Sequence, residues 1–234
     1  MDIRLNSVER GAGDALILLH GNGESLDYFR AQIDFFSARY RVIALDTRGH
    51  GASPRGDAPF TIAQFAEDLL DFMDGAQLAK AHILGFSDGG NIALSFALKH
   101  PERVNRLILN GANLDPSGVK RSVQWPIILG YALVRPFAAR NPNARRKAEL
   151  LGLMVNEPHI PAEQLRNLNL PVLVIAGARD MIRAEHTRRI AAALPNARLA
   201  IIPGDHFIAA KNPDAFNAAV ARFLEEPTME RKNE

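Results

Sequence analysis

The sequence predicts an α/β fold, a mainly parallel sheet flanked by helices, with a small helical cap inserted after the strand ending near Asn110. Short apolar runs alternate with longer amphipathic ones, which is the pattern of strands interleaved with helices. After Asn110 the alternation stops for residues 111–168, far beyond an ordinary connection of about 2–6 residues. The 234 residues, 47% apolar and 23% charged, suffice for one sizeable core and are too few for two full domains.

Six buried strands are expected at 15–19, 42–45, 82–84, 104–109, 172–176 and 199–202, each short, β-branched or leucine-rich and bounded by Gly, Asp, Asn or Pro. Residues 1–14 leave room for one short edge strand or a tight hairpin around Gly11-Ala12-Gly13. Helical patterns cover 26–39, 61–74, 89–100 stopped by Pro101, 184–194 stopped by Pro195, and 213–225. The inserted stretch is proline-rich, and 119–139 and 144–155 read as its two helices, the first interrupted at Pro126 and Pro136. The division is therefore a core of 1–112 and 169–234 and a cap of 113–168. The cap holds eight Lys and Arg against four Asp and Glu, so it carries the basic surplus while the rest is net negative. The tail, 225–234, is expected to be loose.

Composition excludes several function classes. The longest uncharged stretch, 122–134, is bounded by Arg121 and Arg135 and is shorter than the roughly 20 residues of a membrane span. The first apolar run begins at Ala15, too short and too late for a secretory signal. The absence of cysteine removes disulfides, thiolate catalysis and Cys-ligated metals, and fits a reducing cytoplasm. A net charge of +2 is too small a surplus for a nucleic-acid binder. Nothing in the sequence marks an oligomeric state.

Gly85-Phe86-Ser87-Asp88-Gly89 follows a strand and opens a helix, as in a nucleophile elbow, where a strained turn exposes a serine oxygen and the glycines let neighbouring backbones pass close. An attacking serine needs a base and a group that orients it, expected at later strand ends in the order Ser, acid, His. Asp180 and His206 occupy those positions, with Asp115 as the rival acid. Among the other histidines, His100 ends a helix, His50 sits in an Arg-Gly-His-Gly turn, His82 begins a strand, and His159 and His186 are expected at the surface. The turn His20-Gly21-Asn22-Gly23 follows the first apolar strand, so the backbone N–H groups of Asn22 and Asp88 are the candidate oxyanion donors.

A competing motif overlaps that turn. Gly21-Asn22-Gly23-Glu24-Ser25-Leu26 opens like a dinucleotide-binding loop, with Asp46 where a ribose-binding acid belongs, but Leu26 stands at the third glycine. That reading also leaves Ser87, Asp180 and His206 without a role.

Taken in order, His20-Gly21, Asp46-Thr47-Arg48-Gly49-His50-Gly51-Ala52-Ser53, the Ser87 elbow with Gly90, the Asp180 turn and Gly204-Asp205-His206 resemble the α/β-hydrolase superfamily over nearly the whole chain. The Ser-Asp-Gly-Gly elbow and Gly111-Ala112-Asn113 further resemble its valacyclovir-hydrolase-like (biphenyl-hydrolase-like) branch. Arg183, where many relatives have Pro, and Asp88, where many carry Met or Gln, depart from the pattern. The superfamily resemblance implies hydrolysis of a small ester by an acyl-enzyme on Ser87, without metal or cofactor, and the branch resemblance implies an α-amino-acid ester. Carbon–carbon hydrolysis, amide hydrolysis and perhydrolysis use the same triad and stay open, and some proteins of this fold act instead as small-molecule receptors.

Two residues are substrate-binding candidates. Asp88 can be a helix N-terminal carboxylate stabilised by backbone N–H groups, or can reach the acyl pocket and attract an ammonium. Trp125 shares helical spacing with Phe137, Leu151 and Met154, which line a pocket or, as the spacing favours, fill the cap's own core.

Overall fold

A computed structural model describes residues 2–226. The sheet contains seven strands: β1 Ser7–Arg10, β2 Ala15–Leu19, β3 Arg41–Leu45, β4 Ala81–Phe86, β5 Val104–Asn110, β6 Val172–Gly177 and β7 Ala197–Ile202. Their order across the sheet is β1-β3-β2-β4-β5-β6-β7. Only β1 is antiparallel, and it pairs with β3 rather than folding back on β2, so Gly11-Ala12-Gly13 joins non-adjacent strands instead of closing a hairpin.

Alternate residues of each central strand enter different cores, because both faces of a parallel sheet are covered. Ile17, Leu19, Ile83, Leu107 and Val174 pack on one side with α2 (Ile62–Gly75), α3 (Asp88–Lys99) and α6 (Ala184–Ala193). Leu16, Leu18, Leu84, Ile108 and Ile175 pack on the other with α1 (Arg30–Phe36), the short α7 (Ile208–Lys211) and α8 (Pro213–Glu225). The last strand differs from expectation. Leu199 and Ile201 are 41% and 49% exposed, because β7 is the edge strand of the sheet.

Between β5 and β6 the chain forms α4 (Arg121–Val134) and α5 (Pro142–Asn156), which pack on each other. Pro126 lies inside α4 instead of interrupting it. The one bond it removes belongs to the exposed Ser122 carbonyl region, where water can replace it. Among the described residues no helix is long and apolar enough to cross a membrane. The tail expected to be loose lies, from residue 227 on, outside the described residues.

The strand order fixes where a ligand can sit. From β2 the chain moves outward to β3, then returns past β2 to β4 and continues the other way. The carboxyl ends of β2 and β4 therefore flank a topological switch point, where the outgoing loops part and leave a crevice.

Candidate active site

Ser87 stands at that crevice, between the end of β4 and the start of α3, with φ 54° and ψ −121°. A non-glycine residue there is strained, and packing holds it. A Cβ on Gly85 would collide with the Gly89 carbonyl, and one on Gly89 with the Leu19 carbonyl, so both glycines let the turn close against β2. The Ser87 N–H donates to the Asn110 carbonyl at 2.8 Å, which ties the elbow to β5.

Asp180 and His206 come from the turns after β6 and β7 and are both buried. His206 Nε2 lies 3.0 Å from Ser87 Oγ, and Nδ1 lies 2.7 Å from Asp180 Oδ1. The Ile182 N–H also donates to Asp180 Oδ1, at 2.9 Å, so the carboxylate is held as well as buried. Gly111 completes the nest from β5. Its φ is +64°, and a Cβ there would fall 2.7 Å from His206 Cε1 and 2.9 Å from Nδ1. Asp115 is placed elsewhere: it caps the short turn Pro116–Gly118 and accepts from the Ser117 N–H.

The β2 turn lies against the serine, since a Cβ on Gly21 would come 3.2 Å from Ser87 Cβ. His20 shapes this turn. Its Nδ1 lies 2.7 Å from the Gly21 carbonyl and its Nε2 accepts from the Thr47 N–H at 3.0 Å, which fixes a neutral tautomer with the proton on Nδ1. Burial pushes its pKa down to about 4. Among the described residues, the N–H groups of Asn22 and Asp88 have no acceptor. The Asn22 side chain reaches across to α5 and donates to the Leu150 carbonyl at 2.7 Å.

Asp88 is buried beside the serine, and burial raises its pKa from 3.8 to about 6, offset in part by the hydrogen bond from Asn91 and by the nearby Asn22 side chain. Asn91 Nδ2 donates to Oδ1 at 3.2 Å, while Oδ2 is buried without a partner. Glu24, in the β2 turn, has a second buried carboxylate oxygen without a partner, and burial raises its pKa too.

Trp125 is placed on the outside. It is 65% exposed on α4, as Phe137 is at 63% beyond it, so neither fills a core within the inserted segment. His186 corrects the expectation in the other direction: it is buried and its Nε2 accepts from the Leu114 N–H at 2.9 Å. Asp46 has no oxygen to spare for a ribose. Oδ1 accepts from the Leu26 N–H, and Oδ2 from Asn6 Nδ2 and the Ala52 N–H, each at 2.8 Å. Sequence reasoning gave no role to His20, Glu24, Gly111 or the Asn91–Asn113 pair. In that pair Asn91 Nδ2 donates to Asn113 Oδ1 at 3.1 Å and the Asn113 N–H donates to Asn91 Oδ1 at 2.9 Å, and a polar Asn91 on the buried helix after Ser87 was the available signal. Among the described residues no three His, Asp or Glu side chains are gathered as metal ligands.

Comparison with known proteins agrees with this architecture. Residues 14–150 match the family model described as alpha/beta hydrolase fold. A protein of Caulobacter sp. (strain K31) named "Putative carbamate hydrolase RutD" is 34% identical over 89% of this chain and 90% of its own length. The 3-oxoadipate enol-lactonase 2 of Acinetobacter baylyi is 27% identical over 99% of this chain and 95% of its own. Among solved structures, a hydrolase from Pseudomonas aeruginosa PA01 superposes with a TM-score of 0.78 at 29% identity, covering 96% of this chain and 95% of that one. The chain belongs to the alpha/beta hydrolase fold family.

Proposed function

We propose that the protein is a serine hydrolase that cleaves small carboxylic esters through an acyl-enzyme on Ser87. The carrying observation is the continuous line from Ser87 Oγ through the His206 ring to Asp180, at 3.0 and 2.7 Å, beside two N–H groups without acceptors. In this mechanism His206 takes the Ser87 proton as Oγ attacks the carbonyl carbon, and Asp180 holds the imidazole with Nδ1–H inward and stabilises its cation. The N–H groups of Asn22 and Asp88 receive the oxyanion. His206 then protonates the leaving alcohol, and water attacks the acyl-enzyme by the same relay. The names of the relatives, a carbamate hydrolase and an enol-lactonase, point to carbonyl carbons bearing a heteroatom leaving group, which suits this arrangement. Residues 113–168 act as the cap that shapes the acyl site.

The unpartnered Oδ2 of Asp88 favours a narrower reading, in which the substrate is an α-amino ester whose ammonium pairs with that oxygen. A fluorophosphonate probe followed by peptide mapping tests the nucleophile, and an ester panel varying acyl size and charge tests the substrate. The expected result is a single adduct on Ser87 and ester turnover that Ser87→Ala abolishes. Turnover retained by Ser87→Ala, or labelling elsewhere, overturns the proposal.

A further inference from the structure

We propose that the outer face of α4 is a docking surface for an anionic lipid interface, on which the protein rests without spanning it. Trp125, Leu129, Leu133 and Phe137 recur every four residues and are 65%, 61%, 64% and 63% exposed. They form a band of large apolar side chains along a helix whose only buried residue is Gln124. Singly exposed apolar residues need no explanation, but a continuous band of four marks an interaction surface.

The charge around the band identifies the occupant. Residues 116–148 contain seven Lys and Arg and no Asp or Glu. Arg121, Arg135, Arg140 and Lys147 are exposed at the ends and flanks of the band, and a shallow depression beside Leu133 and Phe137 is rimmed by Arg140 and Lys147. An apolar stripe with Trp, Leu and Phe bordered by cations is the pattern of a helix lying in the headgroup region, its cations attracted to anionic lipid. At 14 residues α4 is too short to cross a bilayer, and no other described helix is able to. A second copy of this chain fits poorly, because an isologous contact would set the same cations against each other with no acid to pair them.

The sequence supplies its own probe, since Trp125 is the only tryptophan. Emission of the full chain is recorded with phosphatidylcholine vesicles, with mixed phosphatidylcholine and phosphatidylglycerol vesicles, and with polyglutamate, and each sample is also tested by co-sedimentation. The expected result is a blue shift and co-sedimentation with the mixed vesicles alone, weakened by salt. Leu129→Ser with Leu133→Ser, and separately Arg135→Glu with Arg140→Glu, should each weaken vesicle binding about tenfold or more. Both variants should keep the parent's melting temperature and its activity on a soluble ester, so the outcome does not depend on the role of Ser87. An unshifted emission overturns the proposal, as does equal binding by the serine variant. A shift that grows with protein concentration without lipid overturns it in favour of a second copy, and an equal shift with polyglutamate overturns it in favour of an acidic macromolecule.

Discussion

Asp88→Asn separates what the buried carboxylate costs from what it does. The unfolded chain releases this proton near pH 3.8, whereas the folded chain holds it to about pH 6 because burial disfavours the anion. Across that window the unfolded state is increasingly favoured, and above it the whole cost is present. A shift of about two units at about 1.4 kcal/mol each makes that cost about 3 kcal/mol at neutral pH. Asparagine does not ionise and keeps an oxygen for the bond that Asn91 donates. The variant should therefore match its parent in urea unfolding at pH 4 and exceed it by up to about 3 kcal/mol at pH 8, or several degrees in Tm. Kinetically, KM for an α-amino ester should rise about tenfold, about 1.4 kcal/mol, while a neutral isostere is spared. The parent's preference for the amino ester should grow as pH rises through about 6, as Asp88 ionises. A variant less stable than its parent at pH 8, or a stability difference independent of pH, would refute the reasoning. Equal losses on both esters would reduce Asp88 to a scaffold role.

Gly111→Ala forces a Cβ to within 2.7 Å of His206 Cε1 at a φ of +64°, so kcat on an activated ester should fall about a hundredfold with the fold retained; activity within threefold of the parent counts against the geometry. Asp180→Asn should cost several orders of magnitude in kcat and Asp115→Asn little, as judged by steady-state rates; the reverse ranking moves the acid to the turn after β5. His20 and His82 are buried with pKa values pushed down to about 4, so the unfolded chain takes up their protons from about pH 6.5 downward while the folded chain excludes them. Stability should thus be full above about pH 6.5 and fall toward pH 4 by about 3 kcal/mol for each group, and replacing His82 with Gln should flatten that slope in urea titrations at stepped pH.

That Ser87, Asp180 and His206 would lie at strand ends was legible because the signals are local. Each lies just past a strand end in a glycine-bearing turn, and the run lengths that mark the strands are intrinsic to a sheet buried on both faces. Features that depend on distant neighbours were not legible. The 199–202 run reads like a buried strand, yet Leu199 and Ile201 face solvent because β7 is an edge strand, and nothing in the run itself tells an edge from a centre. Helical spacing placed Trp125 and Phe137 on one face without saying which way that face turns. His186 became buried because the Leu114 N–H, 72 residues away, needs an acceptor. Asp46 looked free for a ribose because its three donors arrive from Asn6, Leu26 and Ala52, on separate segments.

The division of labour within the chain follows from how the site is held. The serine, histidine and acid are fixed by main-chain packing at strand ends, through the elbow glycines, the Ser87 to Asn110 bond and Gly111. None of those contacts involves α4 or α5. The inserted segment touches the β2 turn through Asn22 and the Leu150 carbonyl, and Glu157, the neighbouring carboxylate that adds to the rise in the Asp88 pKa, also belongs to it. Changes in α4 and α5 therefore act on what sits above the β2 turn and on the charge near Asp88, whereas residues 118–120 bond to the Asp180 turn, the Lys120 N–H to the Met181 carbonyl at 2.9 Å and the Arg183 N–H to the Gly118 carbonyl at 2.8 Å. Under the proposed function, substrate choice and surface binding can accordingly vary in α4 and α5 without dismantling the proposed catalytic groups, and the basic, apolar outer face of α4 lies on helices that make none of the contacts holding those groups.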